Sequence, residues 1–140
     1  MALLKQRLSK ENTKKEFSRM FLDTYAWVEF FNGTEKGKRV KKILKEHACF
    51  TSAISLAELS EWIQKENLDR KFLDSVKKLS SVLPLENEIL ELAGVIKTQK
   101  RKTVKGISLI DAIIISAARH YNLKIVTGDK HFKGENVEML

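Results

Sequence analysis

Asp23 and Asp129 each follow a short apolar stretch, Glu58 lies one turn into a helical segment, and Asp111 opens another. Asp111 is the clearest anomaly. It is the only charged residue between Ile107 and Ala118, and an ionised carboxylate on an almost wholly apolar helix is costly unless something compensates it. Its helical neighbours Ile107, Ser108, Ile114 and Ile115 include no cation. If the four acids converged, they would repel and raise one another's pKa, so the cluster would call for a cation. Carboxylate oxygens suit a hard divalent ion, Mg²⁺ or Mn²⁺. Two such ions about 4 Å apart can activate a water and stabilise the leaving oxygen of a phosphodiester. Hydrolysis would then need no Ser, Cys or His nucleophile, which fits a chain with three His residues and no visible triad.

Each acid also has a plain structural explanation. Asp23 suits an N-cap, and Ser55 with Glu58 and Ser108 with Asp111 both have capping-box spacing. Asp129 lies in Thr127-Gly128-Asp129, good turn chemistry on any fold. Helical spacing places Glu58 opposite Leu56 on a polar face, together with Glu61, which has Lys65 four residues on as a surface ion-pair partner. His131 reads as a loop residue, and Trp27 and Trp62 as core or interface aromatics, since no aromatic stripe marks a surface for stacking bases.

The elements that must position these groups follow from hydrophobic periodicity. Arg19 to Leu22 reads as a strand that ends at Asp23-Thr24, and Tyr25 to Phe31 as a helix closed by Asn32-Gly33. Glu35 to Glu46 is a basic helix, Ala48 to Thr51 a second strand, and a helix with Leu56, Leu59 and Ile63 on one face starts from Ser52 or Ser55. Asp69 to Leu79 is amphipathic, with Phe72, Leu73, Val76 and Leu79 expected inward. A strand over Ser81 to Leu85 carries the only proline, Pro84, which suits a strand end or edge. Glu86 to about Lys105 reads as a long helix burying Ile89, Leu92, Ala93 and Ile96, with Gly106 as its cap. After the Ile107 helix come a strand at Leu123 to Val126 and a short one near Val137 to Leu140. Strands separated by helices, without hairpin signals, predict an α/β fold with a parallel sheet, whose strand C-termini share one edge.

The 140 residues suffice for one domain with a real core, and 43% hydrophobic with 31% charged residues describes a folded soluble protein. A net charge of +8 favours a polyanionic partner such as nucleic acid. One cysteine, Cys49, excludes an internal disulfide and a cysteine-rich zinc site. No apolar run reaches membrane-spanning length and no signal-peptide core is visible, so a cytoplasmic location is expected. Residues 1–18 form a basic extension with Lys5, Arg7, Lys10, Lys14 and Lys15, expected to be solvated or to touch phosphate or a partner. Lys97, Lys100, Arg101, Lys102 and Lys105 precede the Asp111 helix and could contact a phosphate backbone there.

Four segments carry a family resemblance: Phe21-Leu22-Asp23-Thr24-Tyr25-Ala26-Trp27, Ile54-Ser55-Leu56-Ala57-Glu58-Leu59, Ser108-Leu109-Ile110-Asp111-Ala112-Ile113-Ile114 and Thr127-Gly128-Asp129-Lys130-His131-Phe132. Their order and surroundings over residues 19–140 resemble the motifs of PIN-domain ribonucleases, above all the VapC-type toxins of toxin–antitoxin pairs. The resemblance implies a three-layer α/β/α sandwich with a mainly parallel sheet and an endoribonuclease dependent on Mg²⁺ or Mn²⁺. It maps Asp23, Glu58, Asp111 and Asp129 onto the family's acidic quartet, with Asp23, Asp111 and Asp129 on the metal. Thr127 would support Asp129, and Thr24 would be a second supporting hydroxyl. It also implies a homodimer, a cognate antitoxin reaching into the acid pocket, and tRNA or rRNA as substrate. The basic extension precedes the usual start of such a domain and leaves room for a solitary PIN nuclease in RNA processing.

Two further readings compete. A basic α/β module could hold RNA without cutting it, its acids serving as caps. A receiver-like signalling domain also gathers acids at a parallel-sheet edge, but it would cluster several near the first strand, where this chain has only Asp23.

Overall fold

A computed structural model describes residues 19–140; the basic extension 1–18 lies outside the described residues. Among the described residues, five strands and six helices follow one another. They are β1 (Arg19–Leu22), α1 (Thr24–Asn32), α2 (Glu35–Glu46), β2 (Ala48–Ser52), α3 (Ala53–Lys65), α4 (Lys71–Leu79) and β3 (Ser81–Leu83), then α5 (Asn87–Lys100), α6 (Leu109–Tyr121), β4 (Lys124–Thr127) and β5 (Val137–Met139). A 3-10 turn, Lys130–Phe132, lies between the last two strands.

The sheet order is β3-β2-β1-β4-β5, and all four pairings are parallel. Because side chains alternate across a strand, the sheet buries two different faces. Phe21, Phe50 and Ile125 pack with Ile89, Ala93 and Ile96 of α5 and the apolar run of α6. Met20, Leu22, Cys49 and Val126 pack against α1 to α4 through Trp27, Val40, Leu59, Ile63 and Val76. Two helices on one face and four on the other make the three-layer α/β/α sandwich. The fully buried strands explain why β1, β2 and β4 read as continuous apolar runs.

Local chemistry sets the element ends. Gly33 closes α1 at φ +65, a left-handed conformation that glycine adopts without penalty. Ser52, not Ser55, caps α3, so Ser55 lies within the helix, fully buried, and the expected Ser55–Glu58 capping box does not form. Ser108 and Asp111 do form the box predicted for α6.

Three other expectations are corrected. α5 ends at Lys100, and Gly106, at φ +81, lies in the connection to α6 and caps no helix. Leu92 is 45% exposed, because the buried stripe of α5 runs through Ile89, Ala93 and Ile96, which are in contact with α6 and the sheet. Leu79 is 44% exposed at the last position of α4, beyond the stripe formed by Leu73 and Val76. Pro84 directly follows the edge strand β3, where a missing N–H costs no ladder hydrogen bond. No helix among the described residues is long and apolar enough to cross a membrane.

Candidate metal centre

Chain order along the sheet reverses between β1 and β4, so the loops after these two strands diverge and leave a crevice at the carboxyl edge, where ligands bind in open α/β sheets. Asp23 is the first residue beyond β1, and Asp129 lies two residues beyond β4. α6 leads down into β4 and so begins at that same edge, bringing Asp111 there from its first turn. Glu58 comes from α3, which starts directly after β2.

Asp23 is 5% exposed. Its Oδ1 accepts from the Ala26 backbone N–H at 2.9 Å, the cap of α1, and its Oδ2 accepts from the Thr127 hydroxyl at 2.5 Å. Thr127 Oγ1 in turn accepts the Asp129 N–H at 2.9 Å. One buried hydroxyl thus joins the end of β1 to the turn after β4, and Thr127 supports Asp23 as directly as it supports Asp129. Burial pushes the Asp23 carboxyl up to about 7, against the hydrogen bonds from Thr127 and Ala26, and the nearby charges of Asp129 and Glu58 push the same way as burial. Thr24 donates its hydroxyl to Glu58 Oε1 at 2.6 Å, tying α3 to the start of α1. Glu58 and Ile110, the neighbour of Asp111, line one shallow depression with Ala57 and Glu61.

Asp111 satisfies both readings of its position. Its Oδ2 accepts the Ser108 N–H at 3.0 Å, completing the capping box, and the same oxygen lies 2.9 Å from His131 Nδ1. His131 Nδ1 is also 3.3 Å from Asp129 Oδ1, and the ligand atoms of Asp111, Asp129 and His131 all fall within 4.8 Å of one another. His131, expected as a loop residue, therefore belongs to the cluster. Its backbone N–H donates to Asp129 Oδ1 at 2.8 Å, and the adjacent Phe132, 2% exposed, anchors the turn in the core. Sequence reasoning had only the two-residue spacing from Asp129 to go on, which any Asp-headed turn shares.

The donor set fits a divalent cation. Asp111 Oδ1, Asp129 Oδ2 and Glu58 Oε2 accept no hydrogen bond among the described residues, and no Lys or Arg there forms an ion pair with any of the four acids. A cluster of carboxylates so placed has His131 as its one basic neighbour among the described residues and no permanently charged partner.

Gly128 lets the turn carrying Asp129 pass beneath Tyr25: a Cβ there would lie 2.3 Å from the ring. The tyrosine hydroxyl accepts from Lys36 at 2.9 Å. Trp27 is fully buried, with its indole N–H on Thr51 Oγ1 at 3.0 Å, while Trp62 stacks with Phe31 and Phe72, as core and packing aromatics should. Glu61 and Lys65 form the expected surface pair at 3.5 Å. Of the basic run, Arg101, Lys102 and Lys105 are exposed in the connection between α5 and α6, and Lys97 is half-buried on α5. Lys100 departs from expectation. Its ammonium lies 2.6 Å from Glu135, so it is not free for a phosphate.

Comparison with known proteins adds to this geometry. No curated protein sequence matches the chain. Among solved structures, a toxin–antitoxin complex from Klebsiella pneumoniae superposes with a TM-score of 0.71 at 19% identity, covering 86% of this chain and 96% of that one. VapBC2 from Rickettsia felis, bound to a DNA fragment from its promoter, gives 0.70 at 19% identity, with 86% and 98% covered. Mycobacterium tuberculosis VapC20, a Sarcin-Ricin loop cleaving toxin, gives 0.64 at 19% identity, with 81% and 92% covered. At such identities the likeness is one of fold. The sequence profile of the PIN domain matches residues 20–134, a span that holds all four acids, His131 and the strands that position them, and the chain belongs to the PIN domain family.

Proposed function

We propose that the chain is a divalent-metal-dependent endoribonuclease, the toxin component of a VapBC-type toxin–antitoxin pair. One observation carries this reading: four carboxylates from distant segments stand at the switch point of a parallel sheet with no Lys or Arg of the described residues paired to them, in a chain of net charge +8. The likeness to VapC20, named as a toxin that cleaves the Sarcin-Ricin loop, supports the choice of reaction. The VapBC and toxin–antitoxin neighbours support an antitoxin partner, and a homodimer is part of the same proposal.

Asp23, Asp111 and Asp129 would hold Mg²⁺ or Mn²⁺, the ion supplying charge neutralisation and Lewis acidity at the scissile phosphate. Thr127 fixes the orientation of Asp23 and of the turn bearing Asp129. Glu58, held from one side by Thr24, keeps an oxygen without a hydrogen-bond partner among the described residues; that oxygen would take the proton of an attacking water. Lys97, Arg101, Lys102 and Lys105 would hold the backbone of an RNA of the tRNA or rRNA class.

The test is cleavage of a panel of structured RNAs by the purified chain with Mg²⁺, with Mn²⁺ and with chelator. Cleavage that requires the ion and disappears in Asp23→Asn and Asp111→Asn supports the proposal. RNA binding that ignores both ion and substitutions, with no cleavage of any substrate, would replace it with a basic RNA-binding module. Cleavage by a chain whose neighbouring reading frame encodes no small DNA-binding protein would favour a solitary PIN nuclease.

A further inference from the structure

The acids of the quartet offer only oxygen, which alone would suit Mg²⁺. His131 changes the donor set. Its Nδ1 stands 2.9 Å from Asp111 Oδ2 and 3.3 Å from Asp129 Oδ1. Two ligands at right angles on an octahedral ion, with bonds of about 2.1 Å, stand about 3 Å apart. The imidazole nitrogen already has nearly this spacing to each of the two carboxylate oxygens, and a cation there would take the place of the hydrogen bond between Nδ1 and Asp111.

The ring is held in this orientation. Its own backbone N–H is bound to Asp129 Oδ1, and the next residue, Phe132, is buried in the core. On the far side of the ring, Nε2 faces Gly106: a Cβ on that glycine would lie 3.4 Å from it. The connection from α5 to α6 thus passes near the far side of the imidazole at Gly106, while Nδ1 is turned towards the acids. Asp111 Oδ1 and Asp129 Oδ2 have no hydrogen bond among the described residues, so both carboxylates keep a free oxygen besides the one near the ring.

We infer that His131 is a direct metal ligand through Nδ1, and that this nitrogen makes the centre select a first-row transition cation such as Mn²⁺ over Mg²⁺. Mg²⁺ takes oxygen and gives up its waters reluctantly, whereas affinity for imidazole rises along the transition series. The inference rests on the metal-site part of the proposed function and requires nothing of the substrate.

Binding and spectroscopy test it. Pulsed electron paramagnetic resonance of the Mn²⁺-loaded chain, grown with ¹⁵N-histidine, should show coupling to a directly bonded nitrogen. Calorimetric titration should show Mn²⁺ bound more tightly than Mg²⁺. His131→Ala should remove the nitrogen coupling and weaken Mn²⁺ by about tenfold or more, while changing Mg²⁺ by less than about threefold. His131→Asp, which returns an oxygen donor, should move the preference back towards Mg²⁺. Mn²⁺ bound with no nitrogen coupling, in a chain that cleaves RNA, would overturn this inference and leave the nuclease reading standing. No binding of either ion to the unmodified chain would overturn both.

Discussion

Glu135 and the quartet of Asp23, Glu58, Asp111 and Asp129 are two answers to one problem, a carboxylate partly or wholly removed from water. Glu135, whose side chain is 10% exposed, receives Arg119 through both Nε and Nη2, at 3.0 and 2.8 Å, and Lys100 at 2.6 Å. It lines a cavity with Asn122, Leu123 and Ile125, where β4 begins, at the sheet edge opposite the acids. Burial works to raise its carboxyl, but the hydrogen bonds from Arg119 and Lys100 outweigh that and hold it below the ordinary value. At the other edge, burial wins and Asp23 rises to about 7. The chain has 26 Lys and Arg to spend, and among the described residues none is paired to the quartet. Glu135 finds its partners within the chain; the quartet, on the proposed reading, takes its partner from outside.

The sharpest way to break this contrast is through activity. Asp23→Asn or Asp111→Asn should lower metal-dependent RNA cleavage by roughly a thousandfold or more, measured under single-turnover conditions. Glu135→Gln should leave the rate constant within a few-fold.

Stability should respond in the opposite sense. Without metal, folded Asp23 binds its proton up to about pH 7, whereas its ordinary value is 3.8, so between the two the folded state holds more protons than the unfolded one. Its contribution is therefore intact below pH 3.8 and is lost as pH rises towards 7, by about 4 kcal/mol at most. Asp23→Asn should raise the melting temperature of the chelator-treated protein at pH 8 by several degrees and abolish the further rise that divalent ion gives the unmodified chain.

Glu135 should behave in mirror image. Its depressed pKa makes its contribution present above the ordinary value of 4.5 and lost as pH falls through the folded value. Glu135→Gln should cost about 1–3 kcal/mol at pH 7 in denaturant titration, since it strands Lys100 at 16% exposure while Arg119, half exposed, can turn to water. That penalty should shrink as pH falls below 4.5 and through the folded value. The smallest effect is expected at Glu61→Gln, whose pair with Lys65 is 70% exposed on both sides: less than about 0.5 kcal/mol, and no change in metal affinity.

Much of the architecture was legible because the sheet is buried on both faces, so that Arg19 to Leu22, Ala48 to Thr51 and Leu123 to Val126 stand out as apolar runs between helical segments. The quartet was legible for a related reason: a lone acid next to such a run has no local reason to be there unless it caps. Asp111 and Asp23 do cap, and Asp111 also meets His131 while Asp23 is tied through Thr127 to the turn of Asp129, so the two signals could not be separated by spacing. Other features depend on docking. Leu92 is as apolar as Ile96, and only the angle at which α5 meets α6 decides which of them is covered. The end of α5 was hidden because Arg101, Lys102 and Lys105 are compatible with helix, whereas in the fold the connection beyond Lys100 packs Val104 and Ile107 on the core. His131 was missed because an imidazole gains meaning only from what meets it, and Asp111, twenty positions earlier, meets it only after folding.

The placement of β1 in the sheet has a consequence for synthesis. This central strand is among the first of the described segments to leave the ribosome, yet its hydrogen-bonded neighbour β4 lies more than a hundred residues downstream, and Thr127 must arrive before Asp23 acquires its buried partner. Contacts so distant along the chain form late, because the loop they close must be ordered first. A growing polypeptide would leave that side of β1 unpaired until residues 124–127 have been made, so the crevice beside Asp23 takes shape with the arrival of β4 and not with the folding of β1 alone.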